Sequence, residues 1–174
     1  RAAVSLIVND LLESGVVQEA ESRSAPSGRP PVILEINPKV GLVGAIDMGA
    51  THMSIALADF TARIIHEAEF PFDIKNGPQV CLAEANKNLV KLLTSQNLSL
   101  SGLSAVGVGV PGPVITEAGM VVSPPIMPGW DRYPIRATLE KMLGCPVTLN
   151  NDAELGALGE WAYGAGRGEK NVAY

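Results

Sequence analysis

The first place in this sequence where chemistry can be built is the turn Asp47-Met48-Gly49-Ala50-Thr51, at the end of the apolar run Leu42 to Ile46. A D-x-G-x-T turn can gather a carboxylate, a close backbone approach and a hydroxyl around one phosphate and its metal. Glycine lets the main chain come near a ligand. A carboxylate such as Asp47 reaches Mg²⁺ mostly through water, because that ion keeps several of its waters. Asp47, Gly49 and Thr51 are therefore candidates for contact with a phosphate and its metal, Thr51 through its hydroxyl. An ordinary hairpin that needs a glycine has the same pattern, and the five residues alone leave both readings open. A second cluster is Asn150-Asn151-Asp152, where an Asn can cap a helix and a carboxylate at the helix start is favoured by the backbone N–H groups. Between them Gly109-Val110-Pro111-Gly112-Pro113 forms a strand exit of fixed backbone.

Composition narrows what such residues can serve. The chain has 174 residues, 47% of them hydrophobic, which supports a substantial core and argues against global disorder. Its formal charge is −5, so any role with nucleic acid rests on a local surface. Cys81 and Cys145 form no C-x-x-C pair and have no His at ligand spacing, so neither a zinc site nor a disulfide framework is implied. Two buried thiols in a reducing cytoplasm are expected. No apolar run approaches the roughly 20 residues of a membrane helix, and the start at Arg1 has no signal-peptide pattern. It also has no Met, so the chain is expected to begin inside a longer protein.

The elements that must position these residues fall into two parts. Val4, Ile7, Val8, Leu11 and Leu12 form one helical stripe, and Gly15 stands where a left-handed cap is wanted. Val16 to Glu19 and Val32 to Ile36 read as strands around an exposed Ser-, Pro-, Gly- and Arg-rich loop, Glu21 to Pro31. Helix, strand, basic-tipped loop and strand is the order of a winged helix-turn-helix from its recognition helix onward. On that reading Arg1, Ala2 and Ser5 face base edges in the major groove, and Arg29 meets phosphates or a minor groove. Residues 1–39 hold four Lys/Arg and five Asp/Glu, which argues the other way. A helix-hairpin adaptor packed on the next domain fits the same pattern.

The second part alternates strands and helices. Residues 42–47, Met53 to Ala58 and Arg63 to Phe70 form a three-strand meander. A helix from Pro78 to Gln96 leads to a buried strand from Ala105 to Val110. Val114-Ile115 and Met120 to Val122 pair across a turn, and a Pro-rich loop closes on Trp130, which either fills the core or packs beside a ligand. A helical region from Tyr133 stops at Gly144, and the strand Pro146 to Leu149 runs into a helix reaching about Tyr163. Gly164 to Gly168 is expected to be a mobile loop, and Asn171 to Tyr174 to begin another strand. The order predicts an α/β domain with a mixed sheet.

Five ordered motifs now coincide. They are Asp47 to Thr51, Gly107 to Pro113, Pro128-Gly129-Trp130, Asn151-Asp152-Ala153 and Gly164 to Gly168. In order and spacing they resemble the ROK family (repressor, open reading frame, kinase), over residues 41–174. The stretch from Ala3 to Pro31 resembles the part of ROK repressors that joins recognition helix and wing to the sugar lobe. The resemblance implies a partial winged helix-turn-helix over residues 1–38 and, over 39–174, the N-terminal lobe of an actin-like (ribonuclease H-like) fold. That fold closes on a hexose or hexose derivative with nucleotide between its lobes.

It implies that Asp47, Gly49 and Thr51 are the first phosphate motif and that Asn151 and Asp152 are the sugar-binding pair. In the family's kinases that Asp is the catalytic base, taking a sugar hydroxyl proton as the oxygen attacks a γ-phosphate in line. Gly109, Pro111 and Gly112 would floor the sugar cleft. Ile126 and Glu154 depart from the family, where Asn is common at both places. The second phosphate motif, the adenosine-binding region and the zinc motif of the family lie beyond Tyr174, so ATP and Mg²⁺ are expected only of the full-length protein. The expected function is a cytoplasmic, sugar-responsive transcriptional repressor that binds operator DNA and a sugar or sugar phosphate as a dimer or tetramer. The alternatives are an ATP-dependent sugar kinase and a non-catalytic sugar-binding module. All three require the carboxylates of Asp47 and Asp152 to share one crevice.

Overall fold

The computed structural model describes residues 2–20 and 32–174. Helix α1 (Ala2–Glu13) stops at Gly15, whose φ of 72° is the left-handed value foreseen for it. Strands β1 (Val17–Glu19) and β2 (Leu34–Ile36) pair antiparallel, Val17 opposite Ile36. Asn37 locks this unit: its Nδ2 donates to Gly15 O at 2.9 Å and its Oδ1 accepts from Lys39 N at 3.0 Å. Of the apolar stripe of α1, Val8 and Leu12 are half-buried, while Val4, Ile7 and Leu11 are exposed. The expected wing loop, with Arg29, and Arg1 lie outside the described residues.

The rest forms a five-stranded mixed sheet of order β5-β4-β3-β6-β9. Its strands are β3 (Leu42–Met48), β4 (His52–Asp59), β5 (Ile64–Pro71), β6 (Leu103–Val110) and β9 (Val147–Asn151). The meander β3-β4-β5 is antiparallel, and β6 and β9 add in parallel. Parallel neighbours need a crossover. Helix α2 (Pro78–Ser95) carries the chain from β5 to β6, and α3 (Ile135–Leu143) leads into β9. The small hairpin β7 (Val114–Ile115) and β8 (Met120–Val121) sits between, and Arg136 clamps its turn by donating to the carbonyls of Thr116 and Glu117.

Strand alternation sorts the sheet into two unlike faces. Ile46, Met48, Ile55, Leu57, Val106 and Val108 point to one side and are buried with Leu82, Ala85, Leu89 and Leu93 of α2 and Leu139 of α3. Those α2 positions recur at helical spacing, so one stripe covers the sheet. Trp130 is fully buried in the same core and donates from Nε1 to Ile74 O at 3.0 Å. Of its two readings, the structure places it as core. Cys81 is also buried, and burial, with Glu84 and Asp73 adding, pushes its thiol up to about 11. Cys145 is only half-buried, against the expectation of two buried thiols.

One more expectation needs correction. Residues 171–174 form no strand, since no neighbouring strand of the described sheet pairs with them. Gly164 to Gly168, expected as a mobile loop, forms turns tied to the end of α4 (Asp152–Tyr163). Gly164 N and Gly166 N both donate to Glu160 O, and Ala165 N donates to the Glu160 carboxylate.

Candidate functional site: a crevice between two aspartates

The other face of the sheet carries small and polar side chains. Register places Glu69, Ser54, Asp47, Gly109 and Asn150 in one row across all five strands. The next row is Glu67, Ala56, Ala45, Gly107 and Thr148. Helix α4 approaches this face over the end of β6, and a crevice of about 810 Å³ remains beside it, with Tyr174 among the residues that line it. Asp47 and Asp152 both line that crevice, with Gly109 between them. They lie on one face of the domain, as the sugar-lobe reading requires.

Each part has a local cause. Asp47 is delivered by β3 one residue before the chain leaves the sheet, and Gly49 N donates to His52 O to close the turn. The turn is braced from behind, where Phe72 N donates to Thr51 O and Ile74 N to Ala50 O. Ile74 O in turn accepts the Trp130 indole, so the Pro-Gly-Trp loop steadies the Asp47 turn across the core. Asp152 is the first residue of α4, and its Oδ1 accepts from Ala153 N at 2.8 Å.

Asn151 caps that helix, its Oδ1 accepting from Glu154 N at 3.0 Å, while its Nδ2 donates to Gly112 O at 3.0 Å. Both ends of the amide are thus engaged. Asn151 ties the Pro111 to Pro113 turn to the start of α4 and caps that helix, which leaves one lone pair and one N–H of its amide for a ligand. Gly112 holds φ at 115°, a conformation that favours glycine, with Pro124 packed close against it.

Gly109 is required for another reason. A Cβ there would lie 2.9 Å from Asp47 Oδ1, 3.3 Å from Leu155 Cδ1 and 3.6 Å from Asp152 Cα. The missing side chain is what lets β3, β6 and α4 converge. Burial raises the Asp47 carboxyl above its ordinary range, the negative charge of Asp152 adds to this, and His52 opposes it. Two carboxylates repelling one another in a crevice are a common preparation for binding a cation or a proton-donating ligand.

Asp47, Gly109 and Asp152 line the crevice together as expected, whereas Gly49, Thr51, Pro111, Gly112 and Asn151 are not among its lining residues. Ser5 is exposed on α1, and Ala2 begins that helix. Sequence reasoning missed His52, Glu67, Glu69, Leu155 and Gly156. Leu155 and Gly156 were findable, since they follow Asp152 by three and four positions on one helix face. Among the described residues no group of three or more His, Cys, Asp or Glu is placed to hold a metal ion. No helix among them is long and apolar enough to cross a membrane.

A mixed sheet with α2 and α3 on one face, and α4 and the paired aspartates on the other, is that of an α/β lobe of the actin-like sugar-kinase fold. The chain belongs to the ROK family, whose model matches residues 43–174. It is 31% identical to a putative xylose repressor of Caldicellulosiruptor sp. (strain Rt8B.4), over 94% of this chain and 41% of that protein. In structure it resembles a ROK family transcriptional regulator described as a homologue of the E. coli MLC protein. That match has a TM-score of 0.73 at 21% identity, over 93% of this chain and 41% of the other, and shows the fold alone. It also resembles a ROK family glucokinase from Streptomyces griseus, solved with glucose and AMPPNP. There the TM-score is 0.62 at 27% identity, over 74% of this chain and 38% of that one. The chain spans about two-fifths of the length of the curated relatives it matches.

Proposed function

We propose that this chain is the sugar-sensing lobe of a transcriptional repressor, joined to part of a winged helix-turn-helix over residues 1–38. The observation that carries this reading is the reach of the similarity. A xylose-repressor match covers 100% of the chain, α1 and the β1–β2 hairpin included, whereas the glucokinase match covers 74%. The helix-hairpin unit is thus shared with regulators and supports DNA contact through the start of α1, near Ser5, and through the loop that holds Arg29. A sugar or sugar phosphate held between Asp47 and Asp152 alters how the lobes close. In a dimer or tetramer that movement changes the spacing of paired recognition helices, which decides whether two half-sites are reached together. The protein acts in the cytoplasm, where its DNA and its sugar meet.

The test is a mobility-shift titration of the full-length protein on DNA from upstream of its own gene. A salt-sensitive shift, released by an added sugar with xylose tried first, is the expected result. No shift on any operator-sized site overturns the DNA-binding part. Sugar binding without any shift would leave a non-catalytic sugar-binding module.

The paired carboxylates favour a second reading, an ATP-dependent sugar kinase. The donor set fits a hydrated Mg²⁺, which is held through one or two carboxylates plus substrate phosphates. Asp47 would hold it, and Asp152 would orient a sugar hydroxyl and take its proton. Bound Mg²⁺ would neutralise charge on the phosphate oxygens. A coupled ATP-consumption assay on a hexose panel tests this with the full-length protein. An Asp152→Asn variant with unchanged rate would remove the proposed base.

A further inference from the structure

We infer that Asn76 is a site of self-modification, at which the main-chain nitrogen of Gly77 closes a ring on the Asn76 side chain, expels ammonia and leaves aspartate or isoaspartate beside the brace of the Asp47 turn. The inference holds whichever ligand the crevice takes. Asn76-Gly77 is the one Asn-Gly step of the sequence. It joins the short 3-10 turn Ile74–Asn76 to the start of α2. Asn76 is exposed. Among the described residues neither its side-chain amide nor the Gly77 N–H makes a hydrogen bond. Nucleophile and target are thus adjacent, wet and unengaged.

The fold itself demands this step. Gly77 holds φ at 83° and ψ at 163°, a region that glycine alone enters readily. Pro78 follows it as the first residue of α2 and is buried, and a proline pushes the residue before it out of helical geometry. A Cβ on Gly77 would meet no atom within 4 Å, so the space beside it is open. Other asparagines lack one part or another. Pro38 after Asn37 has no N–H to give. Leu98 after Asn97 donates its N–H to Leu93 O at 2.9 Å. Asn86 and Asn88 lie within α2, where main-chain N–H groups are spent on the helix.

The atoms balance with water alone. Gly77 N loses its proton to solvent and bonds to Asn76 Cγ, the Cγ–Nδ2 bond breaks, and Nδ2 takes up a proton and leaves as ammonia. Water then opens the succinimide and the proton returns to Gly77 N. Opening at Cγ gives aspartate. Opening at the main-chain carbonyl gives isoaspartate, whose main chain runs through Cβ and Cγ. Aspartate places a negative charge just before α2, which has no acidic residue in its first turn and no side-chain cap, and the unpaired N–H groups there favour it. Isoaspartate lengthens the main chain beside Ile74. The N–H groups of Phe72 and Ile74 brace the Asp47 turn, and Ile74 O holds the Trp130 indole, so this product loosens the brace.

The experiment ages the full-length protein in isotope-labelled water at mildly alkaline pH, folded and in urea, with peptide mass mapping. Asn76 is expected to gain one labelled oxygen at least about tenfold faster than any other Asn of residues 1–174, and as fast folded as in urea. Asn76→Gln, whose side chain is one carbon too long for the ring, is expected to keep its peptide unchanged. Hydrogen exchange at Phe72 and Ile74 is expected to quicken at least about tenfold in the isoaspartyl form and to stay unchanged in Asn76→Asp. An Asn76 that converts in urea but survives in the folded protein overturns the inference, as does a Gln variant that gains oxygen as fast as the wild type. Isoaspartyl protein with unaltered exchange overturns the link to the Asp47 turn.

Discussion

The two faces of the central sheet are made by alternate residues of the same strands, yet they do opposite work. On β3, Ile46 and Met48 are buried beneath α2, while Ala45 and Asp47, alternating with them, open onto the crevice. On β6, Val106 and Val108 enter the core and Gly107 and Gly109 form the crevice floor. The first face is large, apolar and closed, and holds the domain together. The second is small and acidic, with α4 over one end and Tyr174 at its edge. A period of two residues thus separates stability from chemistry without needing separate elements for each. The unit of α1, β1 and β2 differs from both. It is held by short hydrogen bonds around Asn37 and leaves Val4, Leu6 and Ile7 about three-fifths exposed.

The contrast between the two faces can be broken at several points. Leu89→Ala strikes the closed face, where Leu89 is fully buried against Gly44, and is expected to cost about 2–5 kcal/mol in urea denaturation. A cost below about 1 kcal/mol would mean that α2 does not hold the sheet. Next is the pair Gly109→Ala and Gly107→Ala. The first forces a methyl against Asp47 and Leu155 and is expected to cost about 1–3 kcal/mol and most of the sugar affinity. The second meets nothing closer than Thr148 Oγ1 at 3.7 Å and should leave both nearly unchanged, as melting and calorimetry would show.

Asn151→Ala removes a cap and its tie to Gly112, with an expected loss of about 1 kcal/mol. Asn151→Ser, which keeps only the cap, should recover part of that stability but not the sugar affinity. If Ser restores affinity fully, the link to Gly112 is irrelevant to the crevice.

The smallest effect sharpens the comparison most. Because Asp47 is harder to ionise in the fold than in the unfolded chain, its charge opposes folding. Asp47→Asn is therefore expected to raise the melting temperature slightly at neutral pH. The gain is full above the raised Asp47 pKa, shrinks as pH falls through it, and is gone below the ordinary Asp value of about 3.9. A lower melting temperature at neutral pH would show that Asp47 stabilises the lobe rather than serving its crevice.

Much of the architecture was legible because it depends on neighbours in the chain. Gly15 and Gly144 end α1 and α3 in left-handed conformations, as their places after apolar stripes predict. The β7–β8 hairpin forms across the turn marked by Gly119. Asp47 and Asp152 were recognised one by one from turn and helix-start patterns, and through the motifs around them. Their meeting was not contained in those patterns, since 105 residues separate them and only the parallel pairing of β3, β6 and β9 sets them side by side.

What escaped the sequence shares one property. Glu67 and Glu69 belong to no motif, and it is the register that puts them in the rows of Ala45 and Asp47. Trp130 has its hydrogen-bond partner 56 positions away, and Asn151 finds Gly112 from 39 positions away. The four residues from Asn171 read as a strand by type but have no neighbour in the described sheet to complete the ladder. Side-chain pattern and backbone preference act over a few residues, so the sequence by itself determined which segments are helix, turn and strand, and which carboxylates stood ready. Pairing between distant strands has no local signature. The tertiary structure alone decided which of those carboxylates face one another, because that depends on the register of five strands at once.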